Sequence, residues 1–249
     1  MTYRKFYQKA LFVFILIGAV LLLACCDKPA PEPTDPGSDK NATTEPAAEE
    51  EKMVPLPIEL PEAMFAGTPT NIVDDNLEKP LGKPRPILYV PEGTTNVALG
   101  KPIKSTDEYP IIGTIDQIND GDAEASDSSL VELGPFEQNI TIDLEGKYDI
   151  YAILFWHYHA QGRVYYDIVV QTADDAEFTT NVKTLFNSDI DDSLGLGTGE
   201  DKHYIETAEG KLVDAKGIEA RYVRLHSAGN SEDAMNHYLE VAVFGKPVE

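Results

Sequence analysis

Of the 17 prolines in this 249-residue chain, 13 lie between Pro29 and Pro91. Proline fixes its own φ, removes a backbone donor and pushes the residue before it out of the helical region. A stretch so dense in it holds neither a helix interior nor a central strand. A packed body is therefore confined to the remainder, which carries only Pro102, Pro110, Pro135 and Pro247. From Thr94 onward no stretch places apolar residues at i, i+3, i+4 and i+7 for three turns. Ile140, Ile142 and Leu144 instead alternate with polar residues, the period of a half-buried strand. Residues 148–156 (YDIYAILFW) read as a longer strand whose second half is buried on both faces. Residues 165–172, 221–226 and 239–244 read as three more. Turn signals separate them at Gly134-Pro135, Glu145-Gly146, Gly162, Gly195, Gly197, Gly199 and Gly229-Asn230. Many short strands joined by long polar loops predict an all-β chain, a β-sandwich or jelly roll.

The first 24 residues have a different logic. Arg4, Lys5 and Lys9 precede an apolar run from Ala10 to Ala24. That run is shorter than the ~20 residues a spanning helix needs, and it has the charge layout of a secretory signal. It ends Leu22-Leu23-Ala24-Cys25, which resembles a bacterial lipobox. The resemblance implies a lipoprotein signal peptide over 1–24, cleavage after Ala24 and lipidation of Cys25. The protein is then expected at the bacterial cell envelope, held to the membrane by its lipid anchor alone. Residues 25–52 are acidic, Pro-rich and nearly free of apolar side chains, the composition of a disordered N-terminal tether. Residues 53–93 keep the prolines but regain Val54, Leu56, Ile58, Leu60, Met64, Phe65, Ile87, Leu88, Tyr89 and Val90, and read as an extended arm, with packing against the domain left open. Residues 94–249 form the expected domain.

Composition narrows the partners. The net charge is -23, from 43 acidic and 20 basic residues. Nucleic-acid binders carry a basic footprint, so no nucleic acid is expected, and basic docking on anionic lipid is equally disfavoured. The 2 cysteines are adjacent, which excludes a disulfide framework or a zinc site built on separated pairs.

Three blocks of the domain resemble the discoidin family, the coagulation factor five/eight type C domains. The first is Asn96-Val97-Ala98-Leu99-Gly100-Lys101-Pro102. The second is Ile118-Asn119-Asp120-Gly121-Asp122, followed by Ile140-Thr141-Ile142-Asp143-Leu144. The third is Ala220-Arg221-Tyr222-Val223-Arg224-Leu225, followed by 238–245. The resemblance implies a galactose-binding-domain-like jelly-roll β-sandwich, a fold that many bacterial members use to bind carbohydrate. It also implies a structural calcium ion where the Asp-Gly loop meets the last strand, with Asp120, Asp122 and Glu240 as ligands. The Thr and Trp that often follow the Asp-Gly are replaced here by Ala125, Ser126 and Asp127, which leaves the rest of the ligand set open. The competing reading makes Asp120-Gly121 a plain turn and Glu240 a solvated strand residue.

The segment Trp156-His157-Tyr158-His159, with Arg163 and Tyr165-Tyr166 behind it, concentrates rings and donors where a strand runs into a loop. A sugar site needs a flat apolar face beside forked donors. His157, Tyr158, His159 and Arg163 are the expected ligand-binding residues. The alternative places Trp156 in the core and uses the histidines to cap strand ends. The acidic run 187–192 has Asp192 where an EF-hand needs glycine and Thr198 where it needs glutamate, so that loop is excluded. No nucleophile elbow, zinc-protease helix or phosphate loop is present. The chain is therefore expected to be no enzyme but a non-catalytic module for a glycan or other extracellular ligand. The alternative is a structural or protein-interaction envelope lipoprotein that uses the same fold without a sugar site.

Overall fold

The structure is a computed structural model, and it describes residues 51–65 and 72–248. Cys25, the signal peptide and nearly all of the expected tether lie outside the described residues. Eleven strands follow in chain order: β1 (Met53–Pro55), β2 (Tyr89–Pro91), β3 (Thr95–Asn96), β4 (Ile103–Ser105), β5 (Val131–Leu133), β6 (Gln138–Trp156), β7 (Val169–Ala173), β8 (Lys183–Asn187), β9 (Lys211–Ser227), β10 (Asn236–Tyr238) and β11 (Glu240–Pro247). A short 3-10 helix, Ile115–Asn119, precedes the Asp-Gly loop. The main sheet runs β3-β11-β6-β9-β7-β8, with β4 also against β6, while β5 pairs with β10 and β1 with β2. Every one of these pairings is antiparallel. The fold is all-β, a jelly-roll β-sandwich.

Strands β6 and β9 pair along almost their whole length and organise the core. Their register breaks between Asp143 and Tyr148 and again between Ile150 and Ala152. Glu145 adopts a left-handed φ of 64° at the first break, beside Gly146, and so turns the strand. Because the strands bend there, both halves of β6 face one core. Ile140, Ile142 and Leu144 from the first half meet Ile150, Ile153 and Phe155 from the second, together with Val213, Val223, Leu225, Val241 and Val243. Arg221 locks the bend by donating from Nε and Nη2 to the Asp143 carboxylate at 2.7 and 2.8 Å.

Ala152, Leu154 and Trp156 point the opposite way, and they are buried too. Their cover is the arm. Leu56 and Val90 are buried against this face, with Val54, Ile58 and Leu88 partly so. The arm could not be assigned a regular strand from its sequence, yet β1 and β2 pair with each other, Met53 opposite Pro91. Proline is tolerated because this ribbon is only three residues long on each side. Farther along, Asp74 holds His203 at 2.6 Å and Glu78 holds Lys211 at 2.9 Å. Each fully buried Leu or Val of the arm contributes ~1.5–3 kcal/mol. The second face of β6 is dry because residues far upstream lie on it.

Candidate functional site

The three motif blocks converge on one corner. The buried amide of Asn119 donates to the carbonyls of Ala98 and Lys101 at 2.7 and 2.9 Å, tying the opening block to the Asp-Gly loop. Oδ1 of Asn96 accepts from the backbone of Ala98 and of Val243, each at 3.1 Å, which ties that block to β11. The loop then turns at Gly121, whose φ is 95°. There its N–H donates to Oε2 of Glu240 at 2.9 Å.

Glu240 is not a solvated strand residue. It is 2% exposed, and its Oε1 is buried with no hydrogen-bond partner. Burial pushes its carboxyl up to about 8, helped by the nearby charges of Asp120 and Asp122 and opposed by the Gly121 N–H. A buried carboxylate oxygen that lacks a donor, facing an acidic loop, is the donor set of a hard cation. Asp120 accepts the N–H of Asp122 on Oδ1 at 2.9 Å. Asp122 is turned into its own loop: Oδ1 takes the N–H of Glu124 at 3.0 Å, and Oδ2 takes the hydroxyl of Ser129 at 2.7 Å. Of the three expected calcium ligands, Glu240 keeps an unpartnered buried oxygen, whereas both carboxylate oxygens of Asp122 are already occupied within the loop.

The segment after β6 is arranged differently from the surface site expected of it. His157 and His159 are both fully buried. His157 stacks on Tyr165 with centroids 4.3 Å apart and meets Glu206 through Nδ1 at 3.1 Å. His159 donates from Nε2 to the carbonyl of Ala123 at 3.0 Å. Both rings lie inside the fold rather than at the surface, and Nε2 of His157 and Nδ1 of His159 are buried with no hydrogen-bond partner among the described residues. Trp156 is buried, with Nε1 donating to the carbonyl of Ala208 at 3.0 Å.

Tyr158 and Arg163 do reach the edge of the fold. The guanidinium lies 5.6 Å from the centroid of the Tyr158 ring and 3.5 Å from the Asp233 carboxylate. Its Nε and Nη1 are buried and make no hydrogen bond among the described residues. Beside them, Nε2 of His237 meets Glu132 at 3.0 Å and its Nδ1 meets the hydroxyl of Tyr165 at 3.1 Å. Burial lowers the pKa of His237 despite its partner Glu132.

Two aromatic residues escaped the sequence reading. Tyr109 is 85% exposed and Phe136 82% exposed. One carboxylate pins both loops: Asp107 accepts the N–H of Tyr109 on Oδ1 at 3.1 Å and that of Gly134 on Oδ2 at 2.7 Å. Phe136 has φ 68°, a conformation that costs a bulky side chain ~1–2 kcal/mol. The buried Asn236 amide enforces it, donating to the carbonyls of Gly134 and Phe136 at 2.9 and 2.8 Å while accepting the N–H of Gly229. The available signal was an isolated aromatic inside turn punctuation, Glu-Tyr-Pro and Gly-Pro-Phe.

The fold is a jelly-roll β-sandwich in which loops pinned by Asp107 leave Tyr109 and Phe136 exposed. Solved structures similar to the chain include the CBM32 of AlyQ in complex with 4,5-unsaturated mannuronic acid, 17% identical, covering 57% of this chain and 93% of that one, TM-score 0.42. A chitosan-binding module from a chitosanase/glucanase of Paenibacillus sp. IK-5 is 18% identical, covering 61% and 99%, TM-score 0.40. A family 89 glycoside hydrolase from Clostridium perfringens is 19% identical over 61% of this chain, TM-score 0.44, and the chain spans 15% of that enzyme. No family model matches the chain, and no curated protein does.

Proposed function

We propose that this protein is a non-catalytic, discoidin-like carbohydrate-binding module, tethered to the bacterial cell envelope by a lipid on Cys25. The observation that carries the reading is the pair of loops pinned by Asp107, which hold Tyr109 and Phe136 out into solvent, Phe136 against a conformational cost. A flat ring suits the apolar face of a pyranose, and Arg163 beside Tyr158 supplies donors for hydroxyls or a carboxylate. The glycan touches these loop residues rather than the buried His157 and His159. Calcium, when bound, neutralises the corner and joins the Asp-Gly loop to β11. Asp120 and Glu240 would hold it with carboxylate oxygens, and Asp122 with its carbonyl.

A glycan array probed with the mature chain tests the binding claim. Saturable capture that is lost in Phe136→Asn supports it. Absence of capture, with the protein folded, favours the second reading, an envelope lipoprotein that docks protein through this end. That reading draws on Ile111, also exposed, beside Tyr109. Anchoring is tested by labelled palmitate: Cys25→Ser should leave an unlabelled, uncleaved precursor, and unchanged labelling would move the lipid elsewhere.

A further inference from the structure

The arm does more than cover the sheet. Between residues 78–85 of the arm and residues 204–212 lies a cleft of about 400 Å³, within the ~300–1,000 Å³ range of small-ligand sites. It shares no residue with the loop end where the glycan is placed. Four of the chain's 20 bases line it: Lys79, Lys83, Arg85 and Lys211. Against them stand two acids, Glu78 and Glu209. In a chain of net charge -23 this is a local reversal of sign.

The cations are not equally spent. Lys211 is paired with Glu78 at 2.9 Å and lies over the rings of Tyr204 and Phe186, 4.5 and 5.0 Å from their centroids. Arg85 uses one side of its guanidinium for the wall, with Nη1 donating to the carbonyls of Glu209 and Gly210 at 2.6 and 3.1 Å. Its Nη2 is buried and has no hydrogen-bond acceptor among the described residues. Lys79 and Lys83 are exposed at the rim, and among the described residues neither is in a salt bridge. A desolvated guanidinium edge without an acceptor is costly until an anion fills it, and the planar fork matches carboxylate or sulfate geometry.

We propose that this cleft binds a small anionic ligand, with its carboxylate or sulfate on Nη2 of Arg85 and with Lys79 and Lys83 closing over it from the rim. The arm is then half of a second binding site, separate from the sandwich loops. Lys211, held between rings, forms a fixed positive floor.

The chain carries its own reporter. Trp156 is the single tryptophan, and a Cβ built on Gly210, which lines the cleft, would stand 2.7 Å from its Nε1. The full chain in detergent is titrated with glucuronate, with sulfate and with uncharged glucose. Indole fluorescence and calorimetry are read on the same samples, so that binding which leaves the indole unperturbed is still seen. The expected result is saturable binding of glucuronate or sulfate, whichever geometry fits, and none of glucose. Lys79→Glu with Lys83→Glu, at two exposed positions, should weaken it at least tenfold with no change in melting temperature. Arg85→Gln should abolish it, with a melting curve run to show the arm still docked. Equal binding of glucose, no heat with either anion, or undiminished affinity in the folded double-lysine variant would each overturn the proposal. None of these results bears on capture of a neutral glycan at the loop end, which the Phe136→Asn array experiment reads separately.

Discussion

Nε2 of His159 donates to the carbonyl of Ala123 at 3.0 Å, across 36 residues of chain. This bond joins the segment after β6 to the acidic loop that carries Asp120 and Asp122. The two regions singled out in the sequence for different chemistry are therefore one mechanical unit. A change in either is felt by the other.

Removing calcium should destabilise the protein. A cation bound only by the folded state stabilises by ~2.7 kcal/mol at a hundredfold excess over its Kd. Chelator should lower the melting temperature, and Glu240→Gln should erase the difference between chelated and calcium-loaded protein. A wild-type melting curve indifferent to chelator would remove the cation from this corner.

His159→Ala is expected to cost ~1–3 kcal/mol, because it leaves a buried carbonyl without its donor and a gap beside it. It should also weaken protection by calcium, since Ala123 follows Asp122 directly. Arg163→Gln should lose little through its ion pair with Asp233, which is long and solvated on the Asp233 side, although the Arg163 side chain itself is largely buried. Denaturant midpoints with and without calcium separate the two. Equal midpoints for His159→Ala and wild type would contradict the structural role.

Phe136→Asn should separate function from stability. Asparagine tolerates the left-handed region, so the substitution keeps or raises the melting temperature while removing the ring. Glycan affinity should fall at least tenfold. A variant that melts several degrees lower would show that the ring is packed rather than presented.

The arm should behave as part of the fold. Leu56→Ala removes a side chain buried on Leu154 and Trp156 and should cost ~2 kcal/mol or more. Leu60→Ala, at an exposed position of the same arm, should cost nothing measurable. Protease cutting within the arm, quantified for both variants, checks the contrast: faster cutting is expected for Leu56→Ala alone.

Acid should weaken the fold through its histidines. Burial holds His226 and His237 below the ordinary value of 6.5. As the pH falls below about 6.5 the unfolded chain takes up protons that the folded chain still refuses at these two rings, so their contribution to stability drops, while Glu240, pushed up to about 8, works in the opposite direction. The slope is at most ~1.4 kcal/mol per pH step per histidine. His237→Gln should flatten its share of the loss between pH 6.5 and 5 in chemical denaturation. A slope identical to wild type would assign the loss elsewhere.

The sequence by itself determined an all-β chain and located the segments that become β6, β7, β9 and β11. Ile140, Ile142 and Leu144 alternate as they must when one face is wet, and the run 152–156 is apolar throughout because both its faces are dry. Proline density marked the arm as irregular, and the Asp-Gly and Glu240 motifs marked residues that the structure brings together. Strands β3, β4, β5, β8 and β10 were not legible, nor was the β1–β2 ribbon of the arm. They are two to five residues long, and their pairing partners, not their own pattern, make them strands. Tertiary structure alone decided what covers Leu154 and Trp156, because that contact joins residues about a hundred apart in sequence. It alone decided that His157 and His159 face inward while Tyr109 and Phe136 face water. Exposure of a side chain near a strand end depends on which distant loop lies over it, and no spacing within the segment records that. The same holds for Arg85, whose free guanidinium edge exists only because the arm folds back on residues 204–212.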